Sequence, residues 1–269
     1  VEAQMKWGLN VNLVLKRPGT IEETVALAEK HELEHIEVLF EHPLSFCSRE
    51  SLALQKRVAK KTRGFSTSIH APFAYSDLLA LCKPVRDNSF AETRAAIDYA
   101  AAIDAAFVTM HVGSVSIFSE KLYREFIARD VAKLFDYAAS VGMPLLTENV
   151  PSKRAFKRSY PGTPADFREM ERLLKRRLAV CFDPPHAMIS GCGVYDFAKK
   201  MGSRIAEVHL QDGSAKSEHL ALGNGEIDFK RLFRILKNEG FDGFMVFELP
   251  YARDLNASVA KAAALGLMD

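Results

Sequence analysis

Along the chain, short apolar runs alternate with longer stretches of helical period. The first run, Trp7 to Leu13, predicts a strand. Thr20-Ile21-Glu22-Glu23 then forms a capping box that opens a helix to about Glu32. His35 to Phe40 reads as the second strand, Ser48 to Lys61 as the second helix, and Ser66 to His70 as a third strand ended by Ala71-Pro72. An alanine-rich helix over Asp87 to Ala102 leads to a fourth strand at Ala106 to His111. A long helix from Glu120 to Val141 closes on Gly142. Pro144 to Asn149 is the fifth strand. After a longer loop, Thr163-Pro164 combines an N-cap with a proline at the first helical position, and that helix runs to about Lys175. Leu178 to Asp183 gives the sixth strand, a short helix follows from about Val194, and Arg204 to Leu210 gives the seventh strand. A helix over Asp228 to Glu239, a strand over Gly243 to Leu249 and a helix over Leu255 to Leu265 complete the pattern.

Eight apolar strands alternating with helices predict an α/β chain with a parallel sheet covered on its outer face. Eight such units close into a (β/α)8 TIM barrel, expected here as a single domain over residues 1–269. No glycine-rich phosphate loop follows the first strand, which argues against a doubly wound nucleotide-binding sheet. With 269 residues, 48% apolar and 26% charged, the chain can bury a full core without disulfides or a structural metal. A net charge of +2 neither demands nor excludes nucleic acid. The four cysteines form no Cys-x-x-Cys pair, no apolar run reaches the ~18 residues of a membrane span, and the first residues lack a signal-peptide pattern. The expectation is a cytoplasmic protein with reduced thiols and no membrane partner.

Barrel chemistry is placed at the carboxyl ends of the strands. Those ends carry Glu37, His70, His111, Glu148, Asp183 with His186, His209 with Asp212, and Glu248. Imidazoles and carboxylates converging from separate strands suit a divalent metal and supply acids and bases near neutral pH. Any one of them has a structural alternative. Asp183 alone serves equally as a helix cap or as a ligand. Pro184-Pro185 is expected to stop a helix from starting there, leaving His186 free to turn back toward the pocket. The joint occurrence is the signal, because carboxylates without partners are costly at inner strand ends.

The stretches Ser68-Ile69-His70-Ala71-Pro72-Phe73, Met110-His111-Val112-Gly113, Thr147-Glu148-Asn149, Phe182-Asp183-Pro184-Pro185-His186, Val208-His209-Leu210-Gln211-Asp212, His219-Leu220-Ala221-Leu222-Gly223-Asn224-Gly225-Glu226-Ile227-Asp228 and Val246-Phe247-Glu248 span nearly the whole chain. In this order they resemble the xylose isomerase-like barrel superfamily, which includes sugar isomerases, sugar epimerases and endonuclease IV. The resemblance implies a divalent ion, manganese or zinc first and magnesium, cobalt or iron also compatible. It would be held by Glu148, Asp183, His209 and Glu248. It further implies Glu148 and Glu248 as catalytic acid and base in proton abstraction beside a carbonyl. His186 would contact a substrate oxygen. His70 and His111 would do likewise, or would help hold a second metal with Glu148. Glu37 is a further candidate for the substrate pocket.

The resemblance leaves branches open. An endonuclease IV-like hydrolase of abasic DNA would use three zinc ions, but Ser217 stands where that branch has an aspartate ligand, and the loop after the second strand carries no basic residue. Among ketose 3-epimerases, an acidic residue follows the fifth-strand glutamate where Arg154 stands here, and Ala215 occupies the place of an arginine. A barrel that binds a ligand without turnover is the third reading. The run from Ser152 to Tyr160 carries four cations, Lys153, Arg154, Lys157 and Arg158, over the expected site. It reads either as a solvated basic loop or, through Arg154 above all, as recognition of an anionic substrate such as a sugar phosphate or sugar acid. The favoured partner is a small carbohydrate.

Overall fold

The computed structural model describes residues 5–10, 20–45, 49–116, 120–152 and 157–268. Eight strands form the barrel: β1 (Lys6–Asn10), β2 (His35–Leu39), β3 (Ser66–His70), β4 (Val108–Met110), β6 (Leu145–Glu148), β8 (Ala179–Phe182), β9 (Ile205–Leu210) and β12 (Phe244–Phe247). They pair in parallel in chain order, and β1 pairs with both β2 and β12, so the sheet closes on itself. This is the single-domain α/β TIM barrel that the alternation predicts. Among the described residues, four further strands lie outside it. β5 (Gly113–Ser116) pairs antiparallel with β7 (Lys157–Tyr160), and β10 (Asp212–Ser214) with β11 (Ser217–Leu220). The sequence marks both regions only as loops, because neither carries a continuous apolar run.

The helices are α1 (Thr20–Lys30), α2 (Arg49–Lys61), α3 (Lys83–Ala102), α4 (Glu120–Phe126), α5 (Ala132–Ser140), α6 (Pro164–Leu174), α7 (Pro184–Ile189), α8 (Val194–Met201), α9 (Phe229–Asn238) and α10 (Ala252–Ala264). The expected long helix from Glu120 is continuous, but a π-helical turn over Ile127–Val131 separates α4 from α5. Gly142 follows α5 with φ +72°, the left-handed position expected of a terminating glycine. α3 starts four residues before Asp87, with Pro84 in its first turn. α6 has the predicted Thr163 cap, completed into a capping box by Asp166. The Thr20 side chain, on which the first capping box turns, and residues 11–13 of the first expected strand lie outside the described residues, as do Cys47 and Ser48.

One expectation fails outright. Pro184 and Pro185 do not hold off a helix; they are the first two residues of α7. A proline in the first turn costs no hydrogen bond, because those amides have no intrahelical partner, and its φ already suits a helix.

Inside the barrel, the amino ends of the strands are plugged by aromatic packing. His35 lies against Phe107 and Phe244, with ring centroids 5.9 Å and 4.4 Å away. Its two nitrogens meet Ser66 Oγ at 3.1 Å and Ser68 Oγ at 2.9 Å. Above the plug the interior becomes polar toward the carboxyl ends. Among the described residues no helix is long and apolar enough to cross a membrane.

Candidate active site

The turn after β8 organises the site. Asp183 is the N-cap of α7, and its Oδ1 accepts the His186 amide at 2.7 Å. Asn149, one residue past β6, clamps the same turn: its Oδ1 accepts the Asp183 amide and its Nδ2 donates to the Asp183 carbonyl, both at 2.8 Å. The other Asp183 carboxylate oxygen faces the barrel axis and accepts from Gln211 Nε2, which also donates to Glu248 Oε2 at 3.0 Å. Asp183 is therefore both the cap and a member of the cluster.

Glu148, at the end of β6, is the centre of the cluster and is almost fully buried. Its Oε2 accepts from His70 Nε2 and His111 Nε2, each at 3.0 Å. Its Oε1 lies 3.2 Å from His186 Nδ1 and 3.5 Å from His209 Nδ1. The His209 ring sits between two sets of carboxylates. Nδ1 is 3.2 Å from Glu248 Oε2, and Nε2 is 3.2 Å from Glu37 Oε2 and 3.7 Å from Glu207 Oε2.

Ligand atoms of Glu148, Asp183, His209 and Glu248 lie within 4.8 Å of one another. Both ring nitrogens of His209 are buried and lack a hydrogen-bond partner among the described residues, and Nδ1 is the one that faces the cluster. An unpaired ring nitrogen faced by three carboxylates is a donor set that fits a divalent cation, so the cluster is consistent with a metal site. His70, His111 and Glu148 form a second group of the same compactness. Cys181 Sγ joins Glu148 and His209 in a third, but burial pushes its thiol well above the usual range, so it stays protonated.

The electrostatics follow from burial and crowding. Burial disfavours the Glu148 carboxylate, yet His111 and His209 outweigh it and hold the group well below the ordinary range. Glu248 is likewise drawn down to about 2 against its burial, mainly by His209. Burial lifts Asp183 to about 7, reinforced by the neighbouring Glu248 and Glu148. Burial opposes charge on His70, but its bond to Glu148 and the nearby Glu37 raise it to about 9. His111 is held below its usual value by burial.

Of the residues expected at the substrate, His70, His111 and His186 surround Glu148, and His111 is the most open of them. Glu37 is not at the mouth. It is fully buried on the far edge of the His209 ring, where it also accepts from Asn10 Nδ2. Strand parity points Glu37 inward but says nothing of depth. Arg154 and Lys153 lie outside the described residues. The other two cations of that run are engaged: Lys157 Nζ with Asp77 at 3.2 Å, and Arg158 through two bonds to Asp166 at 3.0 and 3.1 Å. Asp212, expected with His209, accepts amides of Gly213, Gly223, Gly225 and Ile227, and so shapes a loop instead.

Sequence reasoning missed several participants. Gln211 couples Asp183 and Glu248 and accepts the His219 amide from the β10–β11 hairpin. Glu207, two residues before His209 on the same face of β9, was findable from the period of two. Glu218 reaches His186 Nε2 at 3.4 Å, while Ser217 Oγ is taken up by Ser214 Oγ at 2.9 Å.

This chain belongs to the xylose isomerase-like TIM barrel family, whose model matches residues 25–267. It is 27% identical over 194 residues to uncharacterized protein MJ1311 of Methanocaldococcus jannaschii, a match covering 69% of this chain and 65% of that protein's length. Its fold is similar to that of a D-tagatose 3-epimerase-like protein (TM-score 0.82, 23% identity, 97% of each chain). It is also similar to that of an L-ribulose 3-epimerase (TM-score 0.78, 18% identity, 98% of this chain and 94% of the other). At these identities the structural likeness is one of fold.

Proposed function

We propose that the protein is a divalent-metal-dependent isomerase or epimerase of a small sugar, sugar phosphate or sugar acid. Its chemistry would be proton abstraction beside a carbonyl. The observation that carries this reading is the convergence of Glu148, Asp183, His209 and Glu248 donor atoms within 4.8 Å at the carboxyl ends of four strands. These four would hold the ion, manganese or zinc before magnesium, cobalt or iron. When bound, a divalent ion supplies the Lewis acidity that makes a C–H beside a carbonyl removable. Glu148 and Glu248 do the proton work. Both are ionised at neutral pH, so either can take a proton from carbon. Inversion needs the second carboxylate to have taken up a proton from a substrate hydroxyl or solvent and to deliver it to the opposite face of the same carbon. Delivery by the first to the former carbonyl carbon, with the hydroxyl proton passing to the carbonyl oxygen, exchanges aldose and ketose. His70, His111 and His186 would hold substrate oxygens around Glu148. The names of the two epimerase-like structural relatives agree with this chemistry.

The second group, His70, His111 and Glu148, favours a two-ion variant of the site. The endonuclease-like reading needs a third ion, and the Ser217 hydroxyl, bonded to Ser214, supplies no ligand for it. The test is metal quantification on the purified protein, followed by a screen of ketoses, sugar phosphates and sugar acids for deuterium uptake beside the carbonyl in heavy water. Expected are one or two divalent ions per chain and exchange that Glu148→Gln or Glu248→Gln abolishes. Three tightly held zinc ions with nicking of an abasic-site oligonucleotide would replace this reading. Absence of metal uptake would end both.

A further inference from the structure

The mouth of the barrel uses one edge of the His209 imidazole; the other edge meets a second polar tier that the proposed reaction does not need. Glu37 from β2 and Glu207 from β9 stand there, both fully buried, with carboxylate oxygens 3.2 Å and 3.7 Å from His209 Nε2. Each is tied down from its own side: Asn10 Nδ2 donates to Glu37, and Thr109 Oγ1 donates to Glu207. The second oxygens of both glutamates, and Asn10 Oδ1, are buried without a hydrogen-bond partner among the described residues. Two buried carboxyl groups side by side are expensive to charge unless they hold a proton donor or a cation.

We infer that Glu37 is the positioning residue of His209. Nε2 faces the Glu37 carboxylate at 3.2 Å but forms no hydrogen bond with it in this structure. With the ion in place the carboxylate would accept the Nε2 proton and fix the tautomer that leaves Nδ1 bare toward Glu148, Asp183 and Glu248. The inference rests on the metal-dependent reading proposed above. A ligating imidazole takes its orientation and basicity from the acceptor on its other nitrogen. Glu37 is the better placed of the two, since Glu207 lies farther from Nε2. The same geometry explains why an acidic residue sits between the apolar Ile36 and Val38 of β2 with no access to the mouth.

The test measures metal affinity by chelator competition, with Mn2+ and Zn2+ as probes, on wild type, Glu37→Gln, Glu37→Asp and Glu207→Gln. It is read beside the thermal midpoint of each metal-free protein and the 15N shifts of His209 in the loaded one. Expected is a ~10–100-fold loss of affinity in Glu37→Gln, partial recovery in Glu37→Asp, and a smaller loss in Glu207→Gln. The His209 Nε2–H signal of the loaded protein should move upfield in Glu37→Gln. Wild-type affinity and an unmoved His209 signal in a folded Glu37→Gln would overturn the inference alone. A loss no larger in Glu37→Gln than in Glu207→Gln would overturn it as well. A wild type that takes no metal would overturn it together with the functional reading beneath it.

Discussion

Asp183 Oδ1 accepts the His186 backbone amide at 2.7 Å, so the residue that closes the cluster is also the one that starts the helix carrying its neighbour. The two roles separate by substitution. Asn is as good a cap as Asp, so Asp183→Asn should keep α7 and leave metal-free stability within about 1 kcal/mol of wild type. Losing a charged oxygen ligand should nonetheless cut metal affinity by at least ~10-fold. Asp183→Ala should lose the affinity and about 1 kcal/mol of stability besides. Denaturant unfolding and chelator competition on the three proteins decide it. Wild-type metal affinity in Asp183→Asn would show that the residue is only a cap.

Metal uptake should release protons. Asp183 is lifted to about 7 by burial and by its carboxylate neighbours. His209 is held well above its ordinary value, because nearby acidic groups overcome its burial. Binding requires both groups deprotonated, so low pH opposes it. Apparent affinity should therefore rise from pH 6 to pH 8, by roughly tenfold per unit for each proton released. Titration calorimetry in buffers of different ionisation enthalpy counts those protons directly. A flat affinity across this range would mean that the ion binds elsewhere.

The barrel was legible because each of its strands is an apolar run bounded by turn or cap signals, and a parallel sheet buried on both faces leaves that mark. The cluster was legible for the same reason: Glu148, Asp183, His209 and Glu248 each interrupt or end such a run. Depth was not legible. Glu37 and His209 both point inward by parity, but only the register of β1, β2 and β9 around the closed barrel puts one behind the other. Pro184-Pro185 misled because a proline pair reads as a breaker unless the preceding Asp is known to be capping. The β5–β7 and β10–β11 pairs left no pattern because their strands are only three or four residues long and consist mostly of glycine, serine and charged residues, too short for apolar alternation to show.

Arg158 should behave as a brace. Its guanidinium makes two bonds to Asp166, and the same carboxylate accepts the amides of Gly162 and Thr163 at the start of α6. Arg158→Ala should lower unfolding free energy by about 1–3 kcal/mol, since the buried carboxylate keeps its amides but loses its charged partner. The KM of the exchange reaction for an anionic sugar should stay within about twofold of wild type. A large rise in KM with unchanged stability would instead make Arg158 a substrate contact.

His35 should remain neutral through the physiological range and make the fold sensitive to mild acid. Burial between Phe107 and Phe244 pushes its pKa down to about 3, with a small contribution from Lys6, against an ordinary value of 6.5. A histidine with a lowered folded pKa binds its proton preferentially in the unfolded chain. Its contribution is fully present above pH 6.5 and is lost progressively as pH falls from there toward 3. By pH 5 the loss from this one group amounts to about 2 kcal/mol. NMR of 15N-histidine-labelled protein should show a His35 signal that does not titrate between pH 8 and pH 5. The slope of unfolding free energy against pH should fall in His35→Gln over the same range. A His35 signal that titrates near pH 6.5 would mean that the amino-terminal plug admits water.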